Sequence, residues 1–255
     1  MKIVAVIPAR YKSSRFPGKP LADICGKPMI WWVYQQAIKV KEFEQVVVAT
    51  DDKTIYDTCK SLDINVMMTS ESCLSGTDRA VEVAGKIKGD LYIVIMGDEP
   101  LIDPEDIKAM IDGMSPEYDA GMLCTKFKNG VDLINDTTIK LAINDKKELI
   151  YMSRFPIPFP KAELNYDHYK NVGVYAFTYE SLEFFKRTER GRLEKTEDME
   201  MMRMLENHKL VKTVEVTTES MSVDTYKDLE RIRLAVSKKF GKNDELTNPT
   251  TGGVS

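Results

Sequence analysis

Three short apolar runs set the frame of this chain: Lys2 to Ile7 ("KIVAVI"), Gln45 to Thr50 ("QVVVAT") and Leu91 to Met96 ("LYIVIM"). Each is dense in β-branched residues, and none alternates polar with apolar. That is the pattern of a strand covered on both faces. Residues 28–40 ("PMIWWVYQQAIKV") predict a helix with Pro28 in its first turn. "KTIYDTCKSL" and "TDRAVEVAGKI" predict two more helices, with "INVMMT" as a strand between them. Strands that alternate with helices imply an α/β fold around a mostly parallel sheet. Ligands of such sheets bind beyond the carboxyl ends of the strands.

Beyond about residue 117 the pattern changes. "GMLCTKF", "IKLAIND", "ELIYMSR" and "NVGVYAF" read as strands of a mixed sheet extension or a small lobe. A helix-rich stretch runs from Tyr179 to Asn207, followed by a late strand, "VKTVEV", and a last amphipathic helix, "TYKDLERIRLAVSKKF". In that helix Leu229, Ile232 and Val236 fall on one side. Residues 1–240 are expected to form one domain, with a lobe at about 125–205. The polar, Gly/Pro/Thr-rich residues 241–255 are expected to be disordered.

Hydrophobic residues make up 43% of the 255, charged residues 30%, and the net charge is -4. The chain is therefore expected to be soluble and globular, and not a nucleic-acid binder, which would carry a basic face. No apolar run approaches a bilayer-spanning length, and Ile3 to Pro8 is too short for the apolar core of a secretion signal. Cys25, Cys59, Cys73 and Cys124 show no C-x-x-C spacing, so reduced cytoplasmic thiols are expected rather than a zinc site.

Charge is unevenly placed. Residues 1–27 hold six cations (Lys2, Arg10, Lys12, Arg15, Lys19 and Lys27) against one acid, Asp23. Most of them sit in "IPARYKSSRFPGKPL", at the carboxyl end of the first predicted strand. Several cations and backbone N–H groups in one loop suit a ligand with several negative charges, such as a triphosphate. The other reading is a solvated surface loop. No G-x-x-x-x-G-K-[ST] or G-x-G-x-x-G motif is present, which weakens a P-loop or dinucleotide-dependent dehydrogenase assignment. Asp98 directly follows the third strand run, and a triphosphate-using site needs carboxylates for a divalent metal. Asp224 stands just before the last helix, where position alone favours an N-cap. Asp51 and Asp52 read as turn or ribose-side groups.

"IPARYKSSRFPGKPLADICGKPMI" resembles the signature loop of sugar-acid cytidylyltransferases, most closely the 3-deoxy-manno-octulosonate (KDO) cytidylyltransferases. The similarity continues in order through "VATDD", "SGTDR", "GDEP", "SRFPIP", "VGVYAF", "LEKTEDMEMMR" and "VDTYKDLERIR", over about residues 1–236. It implies a Rossmann-like nucleotidyltransferase fold, a homodimer joined through the lobe, and transfer of CMP from CTP to an acidic sugar. The acceptor's hydroxyl would attack the α-phosphorus in line and pyrophosphate would leave. Mg²⁺ would be held by Asp98 and Asp224, with Lys19 and Arg10 as catalytic cations. Nucleotide binding falls to Pro8, Ala9, Arg10, Ser13, Arg15, Lys19, Thr69, Ser75, Gly76 and Asp98. Acceptor binding falls to Arg79, Met96, Arg154, Asn171, Tyr175, Glu197 and Glu200. Arg79 and Arg154 are carboxylate clamps or structural ion pairs. Glu197 and Glu200, at i and i+3, would share a helix face. For Tyr175, packing competes with a contact to the sugar.

Three positions depart from the family pattern. Cys73 and Asn171 stand where histidine is usual, and Met96 where glutamine is usual. The triphosphate and metal parts are intact, while the acceptor pocket is altered. The acceptor is thus KDO or another acid, such as a modified ulosonate, another anionic sugar or a phosphonate. A catalytically silent nucleotide-binding protein is the alternative of a different class. With KDO as acceptor, the role would be in lipopolysaccharide or capsule assembly.

Overall fold

In a computed structural model of the chain, residues 1–13, 16–128, 133–162, 165–218 and 221–240 are described. The expectations for Arg15 and for the 241–255 tail fall outside these residues. Strands β1 (Ile3–Ala9), β4 (Phe43–Thr50), β5 (Val66–Met68) and β6 (Leu91–Ile95) pair in parallel, in the order β5-β4-β1-β6. Alternate residues of β1 enter different cores. Ile3, Ala5 and Ile7 pack on one face and Val4 and Val6 on the other, as an unbroken apolar run requires. Helices α1 (Met29–Ala37), α2 (Lys53–Ser61) and α4 (Pro104–Gly113) contribute apolar side chains to the first face, and α3 (Gly76–Lys86) covers the second.

The chain moves from β1 to β4 to β5 on one side, then returns through α3 to β6 on the other side of β1. The carboxyl ends of β1 and β6 therefore face a topological switch point, the crevice where doubly wound sheets bind ligands. Gly97 shows how closely the loops approach there: a Cβ on it would lie 2.7 Å from the Pro8 carbonyl oxygen.

Three of the later strands join the same sheet. β10 (Tyr169–Thr178) lies antiparallel between β6 and β7 (Ala120–Lys126), and β11 (Val211–Glu215) runs parallel to β7. Only the hairpin of β8 (Lys140–Ile143) and β9 (Leu149–Ser153) stands off this path, paired to the start of β10. Among the described residues, the hairpin is the part of the 125–205 segment that leaves the main path of this nine-stranded sheet. Helices α5 (Tyr179–Arg187), α6 (Arg192–Glu197) and α7 (Met201–Glu206) follow β10. The last helix, α8 (Tyr226–Phe240), buries Leu229, Ile232 and Val236 against Phe16, Ile24 and Trp32.

Two local expectations are corrected. Pro28 caps α1 from outside, with extended backbone, because Lys27–Pro28 (β3) pairs with Asp23–Ile24 (β2) in a small hairpin. Helix α4 escaped the periodicity reading, although Asp103 caps it and Pro104 opens it. None of the described helices is long and apolar enough to cross a membrane.

Candidate active site

β1 delivers Pro8, Ala9 and Arg10 to the switch point. The loop then turns through Gly18, whose φ of 69° is left-handed and suits glycine, into a 3₁₀ turn at Lys19–Leu21. This turn carries Lys19 back over the end of β6. Its Nζ donates to Asp98 Oδ2 at 2.6 Å and to the Val223 carbonyl at 2.9 Å, and lies 3.8 Å from Asp224 Oδ1. Two carboxylates 126 residues apart in sequence (224 − 98) thus converge on one cation. The Val223 N–H donates to the Asp98 carbonyl at 2.9 Å and fixes the two segments together.

Asp224 is not the helix cap its position suggested. Thr225 takes that role: its hydroxyl accepts from the Asp228 N–H, while Asp228 Oδ2 accepts from the Thr225 N–H at 2.9 Å. The capping box keeps the first turn of α8 satisfied, and the Asp224 carboxylate faces Lys19 instead.

Three cavities surround these groups. The first, about 280 Å³, is lined by Pro8, Ala9, Arg10, Ser75, Gly76 and Glu200 among others. The second, about 190 Å³, holds Arg10, Ser13, Lys19, Asp98 and Asp224. The third, about 230 Å³, is lined by Asp98, Asp224, Thr137, Thr138, Arg154, Lys170, Asn171 and Tyr175. Asp98 and Asp224 border both the second and the third, and Met96 lines all three. Arg10 is exposed at the mouth of the first two. Ser13 accepts from the Phe16 N–H at 3.4 Å.

Several predicted contacts are taken up by the protein itself. Arg79 borders the first cavity, but it is buried, donates to Thr69 Oγ1 at 2.9 Å and lies 3.2 Å from Asp51 Oδ1, an ionic contact without hydrogen-bond alignment. Its guanidinium is engaged by Asp51 and Thr69, which is the structural ion pair of the two readings, and Thr69 is its partner rather than a lining residue of the three cavities. Asp52 caps α2 by accepting from the Ile55 N–H. Glu197 and Glu200 do not share a helix face. α6 ends at Glu197, Asp198 turns left-handed with φ 53°, and Glu200 precedes α7. Glu197 lies behind Arg154, accepting from its backbone N–H at 3.3 Å. Glu200 accepts from the N–H groups of Gly76 and Thr77, both at 2.9 Å, and from the Thr77 hydroxyl. A carboxylate at the start of α3 offsets the helix dipole there. Desolvation pushes the Glu200 pKa up, and the Thr77 and Gly76 donors oppose it.

In the third cavity Asn171 Nδ2 donates to Tyr175 Oη at 2.7 Å, while its buried Oδ1 has no partner. A buried amide carbonyl with no partner is unusual, and this one belongs to a residue that lines the third cavity. Desolvation raises the Tyr175 pKa, so the phenol stays protonated at neutral pH. Cys73 lies apart: its thiol donates to Glu82 at 3.3 Å, and burial first, then Glu82, pushes its pKa up to about 12. The sequence reading missed Thr137, Thr138 and Lys170. The two threonines sit in a loop with no pattern to flag them, and Lys170 reads as an exposed strand lysine.

Among the described residues, no group of three or more histidine, cysteine or acidic side chains could hold a metal alone. The paired aspartates fit Mg²⁺, a hard cation that usually takes one or two carboxylates and completes its shell with substrate phosphates and water.

Fold and switch-point chemistry together define a nucleotidyltransferase. The chain belongs to the cytidylyltransferase family, whose model matches residues 4–215. Within it, the chain is 36% identical over 244 residues to the 3-deoxy-manno-octulosonate cytidylyltransferase of Escherichia coli, across 95% of this chain and 99% of that one. It is 39% identical over 244 residues to the 8-amino-3,8-dideoxy-manno-octulosonate cytidylyltransferase of Shewanella frigidimarina, across 92% of this chain and 100% of that one. The solved structure of CMP:2-keto-3-deoxy-manno-octonic acid synthetase complexed with CTP has a TM-score of 0.89 at 36% identity, covering 94% of this chain and 100% of that one.

Proposed function

We propose that this enzyme transfers CMP from CTP to 3-deoxy-manno-octulosonate or its 8-amino relative, with release of pyrophosphate, in the cytoplasm and as a homodimer. The observation that carries the reading is the position of Asp98 and Asp224. They form the shared wall between a cation-lined cavity and a second polar cavity. A triphosphate in the second cavity and an acceptor in the third would meet at that wall.

Asp98 and Asp224 would hold Mg²⁺, which when bound offsets phosphate charge and lowers the pKa of a coordinated hydroxyl. The protein's own part is positioning and charge. Arg10 and Lys19 face the cavity that would take the triphosphate and would steady the charge of the leaving pyrophosphate. Pro8 to Arg10 and Ser75 to Gly76 would frame the base and ribose. Arg154 and Lys170 would meet the acceptor's carboxylate, and the Asn171–Tyr175 pair would line its polar side. An Asn–Tyr pair stays neutral, so it serves either acceptor. Exposed Ile134, Phe155 and Phe159, at 76%, 74% and 81%, supply apolar surface for a partner copy.

The test is pyrophosphate release with CTP, Mg²⁺ and each acceptor in turn. Asp98→Ala is expected to slow it by at least about a hundredfold, the scale on which losing transition-state charge stabilisation acts. If neither acceptor is turned over while CTP still binds, the acceptor assignment is wrong and another acid must be sought.

A further inference from the structure

Lys140 is an anomaly of the β8 strand. It stands between Ile139 and Leu141 in an apolar run, and its side chain is fully buried, at 0% exposure. Burying an ammonium is costly unless hydrogen bonds replace its water. Here two do: Nζ donates to the Asn135 carbonyl at 2.5 Å and to the Arg154 carbonyl at 2.7 Å. Burial pushes its pKa down and Asp136 opposes this.

Both carbonyls belong to segments that border the third cavity. Asn135 opens a tight turn: its Oδ1 accepts from the Thr137 N–H and hydroxyl, and its carbonyl also accepts from the Thr138 N–H at 3.2 Å. That turn presents Thr137 and Thr138 to the cavity, and Arg154 lines it too. Arg154 in turn donates to the Asp136 carbonyl at 3.1 Å. The strand register sets Lys140 opposite Ser153 on β9 and Lys170 on β10, at the junction of the three strands.

We propose that Lys140 is a positioning residue of the acceptor site: its buried ammonium ties the Asn135–Thr138 turn to the Arg154 backbone and so fixes the groups that grip the acceptor. This rests on the reading of the third cavity as the acceptor's. Lys140 does not line any of the three cavities, so it acts only through the groups it holds. An apolar side chain of the same length would fill the space and leave both carbonyls free to drift apart. Among the described residues, the hydrogen bonds of the Lys140 ammonium go to Asn135 and Arg154, and none goes to the nucleotide-side residues Pro8, Ala9, Arg10, Ser13 or Lys19.

The experiment is steady-state kinetics of Lys140→Met with CTP, Mg²⁺ and the better of the two octulosonates, beside Thr138→Val and a thermal melt. Misplacement of a binding group by about an ångström costs on the order of tenfold to a hundredfold, so the acceptor KM is expected to rise by that much while the CTP KM stays within about twofold. Lys140→Gln, which keeps one donor, is expected to fall between. Should Lys140→Met fail to fold, the same split is read from Lys140→Gln. An unchanged acceptor KM, or both KM values rising together with a lower Tm, would overturn the proposal and leave Lys140 a structural residue. If Thr138→Val and Arg154→Met both leave the acceptor KM unchanged, the cavity is not the acceptor's. That result removes the functional reading and this one together, whatever Lys140 shows.

Discussion

Gly97 marks how tightly single residues are held at the switch point. Its missing Cβ would meet a backbone oxygen of Pro8 at 2.7 Å, and backbone cannot swing away as a flexible side chain can. Gly97→Ala is expected to lower stability by about 1–3 kcal/mol, the usual cost of overpacking, measured by denaturant unfolding. Catalysis should fall too, because Asp98 follows directly. Other residues show what a resemblance alone leaves open. Arg79 and Arg154 were indistinguishable in sequence as clamps, but Asp51 and Thr69 take the first and leave the second at two cavities. Which of two arginines meets a ligand depends on partners distant in the chain.

At the scale of elements, the ends matter more than the middles. α8 delivers Asp224 only because Thr225 and Asp228 satisfy its first turn. Thr225→Ala is expected to cost about 1 kcal/mol in a thermal melt, the usual value of an N-cap, and to lower kcat by letting the Asp224 backbone shift. Strands β1, β4 and β6 were legible because an unbroken apolar run has one favourable burial. Helix α4 was not read from the sequence, since its acidic first turn dilutes the apolar period. The break between α6 and α7 was not legible at all: a left-handed Asp198 separates Glu197 from Glu200, and nothing local in "TEDMEMM" demands it.

For the whole molecule, the charge balance of the site predicts how it responds to metal removal. Lys19 already sits 2.6 Å from Asp98 and 3.8 Å from Asp224, so the fold does not need a metal to offset them. EDTA is expected to abolish turnover but to move Tm by less than about 2 °C, below the shift that 1 kcal/mol produces in a domain this size. The proposed homodimer gives the second whole-molecule prediction. Sedimentation should give twice the chain mass, and Phe159→Glu, at a side chain 81% exposed, should shift it toward the monomer. By itself the sequence determined the alternation of strand and helix, the cationic loop and its place at a strand's carboxyl end, because apolar period and charge are local. Only the tertiary structure decided that Glu197 and Glu200 part, that Asp51 and Thr69 engage Arg79, and what Lys140 holds. Those outcomes depend on contacts between residues far apart in the chain, and no local pattern encodes them.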